Sequence, residues 1–261
     1  MRYLVLSALL VFCGTTAALP ERQLVIQGEA PFPTPSFNRD SCPIDQRSCT
    51  NEQADSCCTP KNGLLVFAQQ WELNYGPKKS FTIHGLWPDL CDGTFLPANG
   101  CDRDRNYDDI ASIVRRRDSS LLEWMNQYWP SNRNNNNVFW AHEWNKHGTC
   151  VTTLDPKCYG DTYKPQQEVA DYFNQVKGVY EANNLYQALS NQGIIPGSSY
   201  PLVNMAAAIR RELGVEPRFS CRRGRIQEIR MWFYVKGSTN YIPAPAMGGH
   251  SCPKMVFYPA K

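Results

Sequence analysis

The chain has 261 residues, a formal charge of +3 at neutral pH, and 42% hydrophobic against 20% charged residues. So mild a basic excess does not by itself indicate a nucleic-acid binder, and no segment is long enough to span a membrane. A chain of this length buries enough apolar surface for one core or for two smaller domains, and no internal repeat is visible.

Residues 1–18 ("MRYLVLSALLVFCGTTAA") carry Arg2, a short apolar run and then small residues. This is the pattern of a secretory signal peptide, with cleavage expected after Ala17 or Ala18. Residues 19–40 include "APFPTPSF", a Pro-rich extended lead-in with little to pack. Residues 41–261 are expected to form the folded domain. Of eleven cysteines, Cys13 lies in the leader. Cys42, Cys49, Cys57, Cys58, Cys91, Cys101, Cys150, Cys158, Cys221 and Cys252 remain. An even number behind a leader predicts disulfides made in an oxidising compartment, each contributing about 2–4 kcal/mol. Cys57 and Cys58 are adjacent, so each needs a distant partner. There is no C-x-x-C pair to suggest a zinc finger.

After a loop-like stapled stretch, residues 63–71 ("GLLVFAQQW") and 80–87 ("SFTIHGLW") are β-rich and read as core strands. In the second, strict alternation puts Phe81 and Ile83 on one face and His84 on the other. Gly85 and Pro88 suggest that the strand ends there. Residues 108–129 have helical periodicity with a break or recapping point at Asp118–Ser119–Ser120, and residues 130–137 form a polar loop. A helix is expected over 139–150, then further helices in 165–189 and 201–213. Residues 226–237 and 254–260 read as late strands. Mixed elements without βαβ regularity predict an α+β fold.

The stretch "FWAHEWNKHGTC" (residues 139–150) superficially resembles a zinc-binding H-E-x-x-H, but Lys146 stands four residues after His142 and His147 stands five after it. On a regular helix, Lys146 lies about 40° from His142, Glu143 about 100° and His147 about 140°. Histidines so far apart do not readily close on one metal. Glu143 and His147, four apart, are stacked, as are His142 and Lys146. Two readings fit: an acid and a base beside a cation, suited to a negatively charged substrate, or a solvated helix face with ordinary ion pairs.

"FTIHGLWPD" (residues 81–89) together with "FWAHEWNKHGTC" resembles the two active-site segments of the ribonuclease T2 family, secreted acid ribonucleases. The likeness extends over most of the chain from about Cys42. It implies a disulfide-stapled single domain with a central, mostly antiparallel sheet packed with several helices. It also implies a five-bridge pairing of Cys42–Cys58, Cys49–Cys91, Cys57–Cys158, Cys101–Cys150 and Cys221–Cys252. By resemblance, His147 is the base and His84 the acid, Lys146 and Glu143 assist at phosphorus, and His142 binds phosphate. One turn from His147, Glu143 would also orient that ring and favour its proton-bound form. Trp87, Asp89 and Phe95 would hold the base 5′ to the cut, and Gln70, Pro130, Ser131, Asn132 and Phe139 the base on the 3′ side. The expected activity is metal-independent cleavage of single-stranded RNA through a 2′,3′-cyclic phosphate, with no cofactor and no cleavage of DNA. A monomer is expected, secreted or delivered to a vacuole or lysosome. The alternative is an inactive secreted RNA-binding or defence protein on the same fold.

Overall fold

The computed structural model describes residues 42–261; the leader and the Pro-rich lead-in lie outside them. In chain order the elements are strands β1 (Leu64–Gln70) and β2 (Thr82–Asp89), helices α1 (Ile110–Arg117), α2 (Ser119–Tyr128), α3 (Asn136–Lys146), α4 (Gln167–Ala182) and α5 (Leu185–Asn191), strand β3 (Ser198–Pro201), helix α6 (Leu202–Leu213), and strands β4 (Arg218–Arg222), β5 (Arg225–Lys236), β6 (Asn240–Pro243) and β7 (Met255–Tyr258). The seven strands form one sheet in the order β2-β1-β5-β7-β3, with β4 and β6 also paired to β5. Every pairing is antiparallel except β5 with β7. This is the α+β class expected.

The break foreseen inside residues 108–129 is real. Asp118 ends α1 by donating its N–H to Val114 O at 2.7 Å, and starts α2 by accepting from Leu121 N at 3.0 Å. The polar loop, by contrast, is shorter than expected. Asn135 accepts from Val138 N at 3.1 Å and caps α3, so the last two residues of the asparagine run are helical.

Strand β1 and the central part of β5 alternate cleanly. Leu65 and Phe67 of β1 and Ile229, Met231 and Phe233 of β5 enter the main core under the helices. Leu64, Val66 and Trp232 gather on the opposite face with Trp87 and Tyr234. Trp140 and Trp144 of α3 and Tyr172 and Phe173 of α4 fill the helical side of the core. The Tyr172 hydroxyl donates to Leu86 O at 2.9 Å, tying α4 to the edge strand β2.

The cysteines pair as Cys42–Cys58, Cys49–Cys91, Cys57–Cys158, Cys101–Cys150 and Cys221–Cys252. These are the pairs the resemblance implies, and Cys57 and Cys58 do reach different distant partners. No helix among the described residues is long and apolar enough to cross a membrane.

Candidate active site

The site forms where β2, an edge strand of the sheet, meets α3. Strand β2 continues through Pro88 to Asp89 and does not end near His84 as Gly85 and Pro88 had suggested. It carries instead a β-bulge: Ala68 pairs with Gly85 but Gln69 with Ile83, leaving His84 as the surplus residue. A bulge re-aims side chains by changing the parity of the strand. Phe81, Ile83 and Leu86 all enter the core. His84 and Trp87 emerge together on the other side, ring centroids 4.9 Å apart and edge to face.

Two indoles fix the roll of α3. Trp140 Nε1 donates to Trp129 O at 2.9 Å and Trp144 Nε1 to Arg105 O at 2.7 Å, both fully buried. With those rings inward, Glu143 points at β2. Its Oε2 accepts from Trp87 Nε1 at 2.8 Å, and the side chain is 1% exposed. This approach requires Gly85, because a Cβ there would overlap both Glu143 Oε2 and Trp87 Nε1. The helix stops at Lys146, and His147 is its C-cap at φ −115°, ψ −47°, its N–H bonded to Glu143 O at 3.1 Å. The turn Gly148–Cys150 follows, held by the Cys101–Cys150 bridge. His147 packs its ring on Trp87 at 5.4 Å and lies 6.2 Å from the His142 ring. Both His84 and His147 therefore lie against one indole.

Burial, opposed by His84, the Trp87 hydrogen bond and Lys146, pushes the Glu143 carboxyl up to about 7. Burial also pushes His147 down to about 3, helped by the positive charges of Lys146, His142 and His84. His142 is held below the usual imidazole range by partial burial, then by Lys146 and His84. Two expectations change. Glu143 is bonded to Trp87, not to the His147 ring, and the net effect on that ring favours its neutral form. The spacing argument against a shared metal also fails on geometry, because it assumed a regular helix through His147. His142, Glu143 and His147 each offer a ligand atom, all within 4.8 Å of one another. Zinc ligands stand about 3.4 Å apart around bonds of about 2.0–2.1 Å. Closing on an ion would thus draw these atoms together beside the Lys146 ammonium.

Of the residues assigned to base recognition, Trp87 and Asp89 share the outer face of β2. Asp89 is buried, and burial raises it to about 6 against the pull of Arg230. Phe95 is 84% exposed in the loop beyond. On the other side, the half-buried Phe139 ring lies 6.1 Å from His84, and Gln70 sits at the end of β1 opposite Thr82. Pro130 is half-buried. Ser131 turns inward: its N–H donates to Asn136 Oδ1 at 2.8 Å and its Oγ accepts from Arg133 N at 3.0 Å. Asn132 is exposed, its carbonyl accepting from Tyr75 OH at 3.1 Å.

Sequence reasoning missed Glu228 and Arg230 on β5. Glu228 Oε2 lies 2.5 Å from His84 Nδ1, and Glu228 Oε1 accepts from Arg230 Nε at 2.6 Å. The available signal was a carboxylate and a guanidinium two apart in a mostly apolar strand, which places both on one face.

Two imidazoles and a carboxylate arranged around one indole, with the Lys146 ammonium near enough to act on Glu143 and His147, make a site built to move protons to and from a bound substrate. The ribonuclease T2 family model matches residues 46–244. The chain belongs to that family and is an endoribonuclease. It is 44% identical to ribonuclease Rh of Rhizopus niveus over 85% of this chain and 93% of that one. It is 39% identical to ribonuclease T2 of Aspergillus oryzae over 83% of this chain and 82% of that one. Among solved structures, Actibind, a T2 ribonuclease, superposes with a TM-score of 0.79 at 37% identity, covering 84% of this chain and 98% of its own. Human RNase T2 superposes at 0.57 with 27% identity, over 76% and 98%.

Proposed function

We propose that the protein cleaves single-stranded RNA without a metal, by attack of the 2′-hydroxyl on the adjacent phosphorus. The observation that carries this reading is the pairing of His84 and His147 against the Trp87 ring, which lets one phosphodiester lie between them. His147 accepts the 2′-hydroxyl proton. Its depressed pKa keeps the ring neutral in mildly acidic solution, and the negative charge of a bound phosphodiester would raise its basicity. His84 gives a proton to the departing 5′-oxygen as the P–O5′ bond breaks, leaving a 2′,3′-cyclic phosphate. The two rings then exchange roles while water opens the cycle to a 3′-phosphate. Lys146 forms no ion pair with any described residue, so its charge is available to the phosphoryl oxygens in the pentacoordinate transition state. Glu143, protonated below about pH 7, acts beside it as a neutral donor or orienting group, and His142 holds phosphate.

Unstacked bases are held on aromatic faces and read at their edges. Trp87, Asp89 and Phe95 would take the base on the 5′ side. Phe139, with Gln70, Pro130, Ser131 and Asn132, would take the one on the 3′ side. RNase NT, 27% identical with a TM-score of 0.59, has been crystallised with 5′-AMP, which supports nucleotide recognition on this fold. Secretion as a monomer, or delivery to a vacuole, fits the leader and the five disulfides.

The test is a defined oligoribonucleotide incubated with purified protein, with and without chelator, and mass analysis of the ends. A cyclic phosphate that matures to a 3′-phosphate is expected, unaffected by EDTA. His84→Phe and His147→Phe should each nearly abolish cleavage, and DNA should remain intact. Loss of activity in EDTA that zinc restores, or appearance of DNA fragments, would overturn the scheme.

A further inference from the structure

The outer face of β5 presents Glu228, Arg230, Trp232 and Tyr234 to the side of the sheet where Trp87 lies. Glu228 is only 8% exposed there, flanked across the sheet by Gln70 of β1 and Ser220 of β4. A carboxylate so buried is costly unless its charge is paired and its oxygens are bonded. Both oxygens are taken, one by His84 Nδ1 and the other by Arg230 Nε. The Arg230 guanidinium in turn lies 5.5 Å above the Trp87 ring, and Trp87 Nε1 donates to Glu143. A continuous run of contacts, His84–Glu228–Arg230–Trp87–Glu143, therefore crosses the cleft from one catalytic side to the other.

We infer that Glu228 is a positioning residue for RNA cleavage: it fixes the tautomer and tilt of His84 and supports the proton-bearing ring that serves the 5′-oxygen. An ionised carboxylate can only accept, so Nδ1 must carry the hydrogen and Nε2 is left to exchange a proton with the substrate. Burial pulls Glu228 upward, but the His84 hydrogen bond and the charges of His84 and Arg230 outweigh it and hold the carboxyl below its ordinary range. The other titratable groups that interact with His84 are His142, Glu143 and His147 from α3 and its cap. Arg218 of β4 lies across from Arg230. None of these is hydrogen-bonded to the His84 ring, whereas Glu228 is bonded to it directly.

This inference rests on the reading of His84 as the acid, and the experiment separates the two. The Glu228→Gln and His84→Ala variants are assayed on a dinucleotide and on a nucleoside 3′-(4-nitrophenyl phosphate), whose phenolate leaves without needing a proton. A positioning role predicts that Glu228→Gln lowers kcat on the dinucleotide by about 10–100-fold with KM little changed, yet stays within about twofold of wild type on the aryl ester. Glu228→Asp should recover part of the loss. Retained aryl-ester turnover also shows that the variant is folded. If His84→Ala spares the aryl ester while Glu228→Gln loses both substrates equally, or loses neither, the role given to Glu228 is wrong and that of His84 stands. If His84→Ala itself loses both equally, His84 is not the acid, and both readings fall together.

Discussion

Replacing Glu143 by Gln removes a charge from a side chain that is 1% exposed while leaving an oxygen to accept the Trp87 Nε1 proton. Burial displaces this carboxyl from an ordinary 4.5 to about 7. At about 1.36 kcal/mol per pH unit, that displacement corresponds to about 3 kcal/mol. The folded protein holds the proton more tightly than the unfolded chain does. The contribution to stability is therefore complete below about pH 4.5 and is lost as pH rises through about 7. The variant escapes that loss. It should melt at the same temperature as wild type at pH 4 and about 6–12 °C higher at pH 8, taking about 2–4 °C per kcal/mol for a chain of this size. Thermal scans followed by circular dichroism, with urea titrations at the same two pH values, measure both. If the group also serves the chemistry, kcat/KM on RNA falls by about 10–100-fold while stability rises. A melting offset equal at pH 4 and pH 8, or a variant less stable than wild type at pH 8, would refute the reasoning.

The depressed His147 keeps its neutral form down to about pH 3, so the acid limb of kcat/KM should begin well below the pH at which a free imidazole titrates. A tenfold fall per pH unit starting near 6.5 would contradict this. Gly85→Ala should cost about 1–3 kcal/mol of stability and most of the activity, since a Cβ there collides with Glu143 and Trp87. Melting temperature and kcat/KM both unchanged would show that the strand yields. Glu168 on α4 is fully buried with Oε1 unpartnered, and burial raises its carboxyl. Its contribution is present in acid and lost as pH rises, so Glu168→Gln should raise the melting temperature at pH 8 and leave it unchanged at pH 4; an unchanged value at both would count against it.

Much of the architecture could be read in advance because local pattern and tertiary packing agree. The alternation around Phe67 and Ile83, the recapping at Asp118 and the helical spacing of α4 each mean the same thing locally and globally. What escaped depends on long-range geometry. The bulge at His84 is visible only in its register against Gln69, and the truncation of α3 depends on His147 adopting a cap and on the Cys101–Cys150 tether. Strands β3 and β6 are four residues each, too short for a periodic signal. Glu228 looked like any charged residue in a half-exposed strand until its sequence-distant partner His84 was placed beside it, 144 residues away along the chain. The two histidine segments were legible as chemistry because their residues are close in sequence. Their mutual orientation, set by Trp87, was not.

The surplus residue in β2 has an evolutionary corollary. Odd-numbered positions up to Ile83 and even-numbered positions from Leu86 both point inward, so the count of residues, and not only their identity, is under constraint. Deleting either residue between Ile83 and Leu86 would leave the rest in frame for an unbroken strand, but would remove His84 itself or the Gly85 whose missing Cβ makes room for Glu143 and Trp87. A descendant could exchange many outer groups and keep its chemistry, but a single-codon deletion here should silence the enzyme while leaving a foldable sheet.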